Sequence, residues 1–175
     1  MNTLFVSINP SILENYFDKH VRELCKDCKR YGEKDCCPPY LPEIDVYRNR
    51  FKQYKNGTLI IKKFIIDNVK NWKELGKNSS EELRMEIMKF INKIKYERDV
   101  KCVYYGGGSC KNCIKCSHPC RFPNKRLIPI EGTGMNIVKL VEDVANITLK
   151  FPVEKYGYFY RIGLILCEKC HHKIR

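Results

Sequence analysis

The sequence predicts an α/β (α+β) protein, a single domain with a small mixed β-sheet, flanking helices and two cysteine-rich loops. Three observations lead there. Short β-branched and aromatic runs alternate along the chain with segments of helical period. The length of 175 residues, 43% hydrophobic and 30% charged, suits one globular domain with a core of its own. Most of the eleven cysteines are bunched into a few short stretches.

The elements follow in order. Thr3 to Ile8 reads as a first strand, and Asn9-Pro10-Ser11 as a turn and helix start. Ile12, Tyr16, His20 and Leu24 fall at helical spacing, giving one helix up to the first cysteines. Residues 25–40 form the first cysteine loop, closed by Pro38-Pro39. A second helix begins at Pro42 and runs to about Tyr54, with Ile44, Tyr47 and Phe51 along one face. Asn56-Gly57 signals a turn, and Thr58 to Ile66 a buried strand. Ser79 with Glu82 makes a capping box that opens a helix bearing Leu83, Ile87, Phe90, Ile91 and Ile94 on one stripe. Lys101 to Tyr105 is the next strand, ending at Gly106-Gly107-Gly108, and the second cysteine loop occupies 102–123. A helix from about Gly134 to Asn146 and a strand from Tyr158 to Leu166 complete the domain, which spans 1–175. A cysteine–histidine tail, 167–172, lies just beyond that strand.

No apolar run approaches the roughly 20 residues that cross a bilayer, so no membrane span is expected. The N-terminus lacks a basic region followed by an apolar stretch, so the expected location is cytoplasmic. In a reducing compartment, dense and closely spaced cysteines are metal ligands more often than disulfides, and an odd count suits disulfides poorly. The formal charge of +13 is spread with lysine throughout the chain rather than gathered in one patch. It favours an acidic redox partner, of ferredoxin or flavoprotein type, and makes nucleic acid a weaker alternative.

Cys110-x2-Cys113-x2-Cys116-x3-Cys120 has the spacing of the bacterial ferredoxin run. Two-residue gaps let a loop wrap a [4Fe–4S] cluster with successive sulfurs inward, and the glycines ahead permit close backbone approach. Arg121 stands where ferredoxins carry proline. Zinc is the alternative metal, although zinc modules separate their C-x2-C pairs by longer spacers.

In the first loop, Cys25, Cys28, Cys36 and Cys37 offer three or four ligands. Adjacent cysteines rarely both face one metal, so either Cys36 or Cys37 is expected to join Cys25 and Cys28. This site holds a second cluster or zinc, its fourth ligand coming from Cys102 or the Cys167/Cys170 pair, or its fourth position staying open for chemistry. Cys167-x2-Cys170-His171-His172 also suits a zinc ribbon with Cys25 and Cys28, whereas Cys102 reads as a plain buried strand cysteine. His118 reads as an exposed loop residue. Glu131, before Gly132-Thr133-Gly134, is the one candidate acid or base, with helix capping as its simpler role. Neither a nucleophile triad nor H-E-x-x-H is present.

Taken together, Cys25-x2-Cys28-x2-Tyr31-Gly32, Cys37-Pro38-Pro39-Tyr40, Gly108-Ser109-Cys110-x2-Cys113-x2-Cys116 and Cys120-Arg121-Phe122-Pro123 resemble the DUF2284 family of predicted metal-binding proteins. Glu131 with Gly134, and then Tyr158 to Leu166, follow in the family's order. Cys36 and the C-terminal tail depart from the pattern. The resemblance implies metal binding and names no reaction. The expected function is an iron–sulfur protein with one or two [4Fe–4S] clusters acting in electron transfer. The alternatives are an enzyme with an open-coordination cluster, for instance in sulfur transfer, and a zinc protein that binds nucleic acid.

Overall fold

The computed structural model describes residues 3–66, 72–98, 100–150 and 157–168. Five strands form one mixed sheet: β1 (Thr3–Ile8), β2 (Asn56–Ile65), β3 (Cys102–Gly106), β4 (Ile128–Pro129) and β5 (Tyr158–Cys167), in the order β1-β2-β5-β3-β4. All neighbours are antiparallel except the short β3–β4 pair, which is parallel. The helices are α1 (Lys19–Glu23), α2 (Ile44–Phe51), α3 (Trp72–Arg98) and α4 (Ile137–Ala145). Among the described residues no helix is long and apolar enough to cross a membrane.

Alternation along the two central strands separates two cores. Ile60 and Ile165 point to one face and pack under α3 against Leu83, Ile87, Ile91 and Ile94. Leu59, Ile61, Leu164 and Leu166 point to the other, against Tyr47 and Phe51 of α2 and Leu140 and Val141 of α4. A strand covered on both faces reads as a continuous apolar run, which is why Leu59 to Ile61 carries no polar residue.

Three local expectations give way to tertiary contacts. The single helix expected between Ser11 and Leu24 is broken into a 3-10 turn (Pro10–Tyr16), α1 and a second 3-10 turn (Leu24–Asp27). The break falls at Phe17, which bridges Met135, while Asp18 N–H donates to Gly134 O at 2.8 Å and Asn136 N–H to Tyr16 O at 2.7 Å. Those bonds pull the backbone into an extended conformation, and Asp18 then caps α1 by accepting from the His20 N–H. Asn56-Gly57 is strand rather than turn, because Gly57 pairs with Ile8, and a Cβ there would lie 2.7 Å from Ile8 Cγ1. Ser79 lies inside α3, its hydroxyl turned back to the Gly76 carbonyl, so the capping box does not form.

The sheet also fixes where chemistry can sit. β3 runs from the disulfide-bonded Cys102 to Gly106, and the second cysteine loop leaves from that far end. Gly106 pairs with Gly163 in the middle of β5, so Arg161, two residues earlier on that antiparallel strand, lies level with the first residues of the loop.

Candidate metal centre

Both cysteine loops meet beyond the C-terminal end of β3. In the first, successive tight turns (Cys28 N–H to Cys25 O, 3.1 Å; Tyr31 N–H to Cys28 O, 2.9 Å) bring Cys25 and Cys28 to one side. Gly32 N–H closes the loop onto Pro38 O at 3.0 Å. Arg22 of α1 holds its exit, donating to Pro42 O at 2.5 Å and Leu41 O at 2.9 Å.

Two recesses result. Cys110, Cys113, Cys116 and Cys120 line one, with Cys36 of the first loop in its wall. Cys25, Cys28 and Cys37 line another, together with Gly108, Glu131 and Arg161. The neighbours Cys36 and Cys37 thus line different recesses, both buried, while their sulfurs remain in contact at 3.8 Å. Gly108 (φ +88°) and Cys110 divide in the same manner, one to each recess. Among the described residues no three Cys, His, Asp or Glu side chains close to the spacing of a single metal ion. The thiols line the recesses instead of meeting at a point.

Asp35 ties the two loops together. It is 4% exposed; its Oδ1 meets His118 Nδ1 at 2.6 Å, and its Oδ2 and carbonyl both accept from Arg126 Nη1. Two N–H···S bonds reinforce the junction, Asp35 N–H to Cys116 Sγ at 3.4 Å and Cys110 N–H to Cys36 Sγ at 3.2 Å. Burial by itself would raise the Asp35 carboxyl, but hydrogen bonds and charge from His118 and Arg126 outweigh it and hold it below the ordinary carboxylate range. The hydrogen bond with Cys37, helped by the Cys110 N–H and the Arg126 charge, holds the Cys36 thiol below its ordinary range against the effect of burial. Cys37 is pushed up by that same hydrogen bond, by burial and by the surrounding thiols. Burial raises Cys25 as well, with the Glu131 charge adding to it.

Three expectations change here. Cys167 is not free to ligate: it is disulfide-bonded to Cys102, its partner across the β3–β5 ladder. The Glu168 N–H bonds to Lys101 O just outside this pair, the pattern of a non-hydrogen-bonded pair, where side chains are closest. The strand then carries this pair about 13 Å from Gly106, too far to complete either recess. Cys102 is accordingly a bonded cysteine and not a plain one. Cys170, His171 and His172 lie outside the described residues. His118 is exposed, as expected, and in addition stacks on Tyr40 with ring centroids 3.9 Å apart while it holds Asp35. Glu131 caps nothing, since Asn136 caps α4 by accepting from the Lys139 N–H. Asp35 itself was not legible in advance, for no spacing in the sequence links it to residues 83 and 91 positions away.

The profile of a family of predicted metal-binding proteins, DUF2284, matches residues 11–167. The chain belongs to this family. The matched stretch runs from before the first cysteine loop to Cys167, so both recesses of this DUF2284 protein fall within it, while the tail beyond Cys167 does not. No curated protein and no solved structure matches. Because the Cys102–Cys167 pair stands apart from both recesses in this DUF2284 member, replacing both by serine is expected to leave bound metal per chain unchanged. Metal analysis of the purified double variant checks this, and a loss of metal would return Cys167 to the ligand set.

Proposed function

We propose that Cys110, Cys113, Cys116 and Cys120 hold a [4Fe–4S] cluster and that the protein is an iron–sulfur redox protein serving an acidic partner. The observation that supports this most is that these four thiols line one small recess, which the first loop closes through Asp35 and Cys36. When bound, a cluster with four thiolate ligands supplies one-electron transfer and leaves no iron vacant. The residues around it suit that task. The Asp35 N–H on Cys116 Sγ stabilises added negative charge on the sulfur, which raises a cluster's potential. The Asp35 bonds to His118 and Arg126 hold the loop rigid, so that little would have to rearrange on reduction.

The outer face of the same loop favours docking. Ile114 is fully exposed and Phe122 half-exposed, beside the exposed Lys111, Lys115, Arg121 and Lys125. An apolar tip among cations suits a partner with an acidic ring around an apolar patch. Arg126, although in the same segment, is committed to Asp35. Ile114→Asp is therefore expected to slow electron exchange with an acidic flavodoxin by on the order of tenfold. Iron content should stay the same, and raising the salt should slow the parent protein too. Stopped-flow absorption reads the rate; an unchanged rate at low and high salt would remove this face from the reading.

Anaerobic purification followed by iron, acid-labile sulfide and zinc analysis tests the proposal itself. About four or about eight iron with equal sulfide per chain, reducible by dithionite, is the expected result. A colourless zinc protein that takes up no sulfide on anaerobic reconstitution would overturn it.

A further inference from the structure

The first-loop recess holds three thiols, and a four-ligand cluster needs one donor more. Of the remaining described cysteines, Cys36 and the second-loop set line the other recess, although Cys36 Sγ lies 3.8 Å from Cys37 Sγ, and Cys102 is bonded to Cys167. One more metal-competent side chain lines the recess, the carboxylate of Glu131.

The Glu131 carboxylate accepts from its own backbone N–H, and among the described residues no side chain bonds to it. Its turn is built by others: Thr133 N–H and Oγ1 both bond to Ile130 O (3.0 and 2.6 Å), Ile130 N–H bonds to Gly106 O at 3.1 Å, and Thr133 and Ile130 are buried in the core. That anchoring holds the Glu131 backbone against the end of β3. Among the described residues no cation lies within ion-pair distance of its carboxylate. Arg161 shares the recess, but its guanidinium bonds to Ser79 Oγ at 3.1 Å and Gly76 O at 3.5 Å of α3. A carboxylate beside three thiols, with only its own N–H and the nearby Arg161 charge acting on it, keeps oxygen lone pairs free for a metal.

Resting on the iron–sulfur reading above, we infer that Cys25, Cys28, Cys37 and Glu131 together hold a second cluster, with the Glu131 carboxylate as its fourth ligand. On binding, one carboxylate oxygen donates a lone pair to an iron, any proton on the group passing to solvent; no electron changes hands. A closed second centre also argues for electron relay over substrate chemistry. Cys36 and Cys37, joined by one peptide bond, would then stand between the two centres.

The test uses the full chain, purified without oxygen and enriched in the Mössbauer-active iron isotope. In the parent protein, one iron of about eight is expected to show an oxygen ligand. In Glu131→Cys that signal should merge with the thiolate-bound irons. In Glu131→Ala about one iron per chain should be lost, with a changed electron paramagnetic resonance spectrum. Glu131→Gln, nearly the same shape, serves as the control for packing and should also lose the oxygen signature. Identical spectra for Glu131→Ala and the parent would overturn the inference, as would zinc in the first loop or failure of Glu131→Cys to hold a cluster there. The Cys110–Cys120 cluster is read separately: four iron retained there with the first loop empty sinks this inference alone, whereas absence of all iron sinks the iron–sulfur reading with it.

Discussion

Replacing Cys116 and Cys36 together by alanine is expected to lower iron and acid-labile sulfide by about four atoms each per chain. Cys116 lies in the middle of the second-loop set, and Cys36 is the one reserve thiol in the same recess. Cys116→Ala alone should also lose the cluster, since three loop thiolates remain and Cys36 is held in the wall by the Cys110 N–H. Including Cys36 removes rescue as an explanation for any iron left behind. Losing Cys116 Sγ also takes away the acceptor for the Asp35 N–H, so one link between the loops goes with it. Visible absorption and metal analysis on anaerobic protein read the result. Iron unchanged in the double variant would remove the second loop from the metal site.

Asp35→Ala is expected to destabilise the chain by about 2–3 kcal/mol, less than a fully buried ion pair would show because its partners are partly in water. The side chain of His118 is 53% exposed and that of Arg126 22%, while that of Asp35 is 4% exposed. The cost therefore comes mostly from Arg126, which already has one buried guanidinium nitrogen, Nε, without a partner and would lose the carboxylate beside it. For a chain of this size the change is a fall in Tm of about 4–12 °C. Asp35→Asn keeps an acceptor for each partner and removes only the charge, so it should fall between the parent and alanine. Calorimetry of the three proteins decides. Equal Tm values would mean that the two cysteine loops hold together without this junction.

Much of the fold could be read before any coordinates. Residues 58–66 show β-branched packing at strand length, and the apolar stripe from Leu83 to Ile94 has helical period, because both signals are local and both segments are buried as those periods demand. What failed was local in form but decided at long range. The helix signal through Phe17 is overridden by hydrogen bonds from residues 134–136. The Asn56-Gly57 turn signal is overridden because Gly57 is there for the closeness of β1, not for a turn. β4, two residues long and ending in a proline, carries no periodicity at all.

The same division runs through the candidate site. By itself the sequence determined that four thiols lie on one short loop, because a spacing of two or three residues constrains neighbours through the backbone alone. It also led to the expectation that Cys36 and Cys37 do not both serve one site. Only the tertiary structure decided which of them faces which recess, and that Asp35 joins the loops across 83 and 91 residues. It alone decided that Cys102 and Cys167 spend their sulfurs on each other and that Glu131 stands among the first-loop thiols. Those are matters of strand register and loop packing. They bring together residues far apart in the chain, and no pairwise spacing in the sequence encodes them.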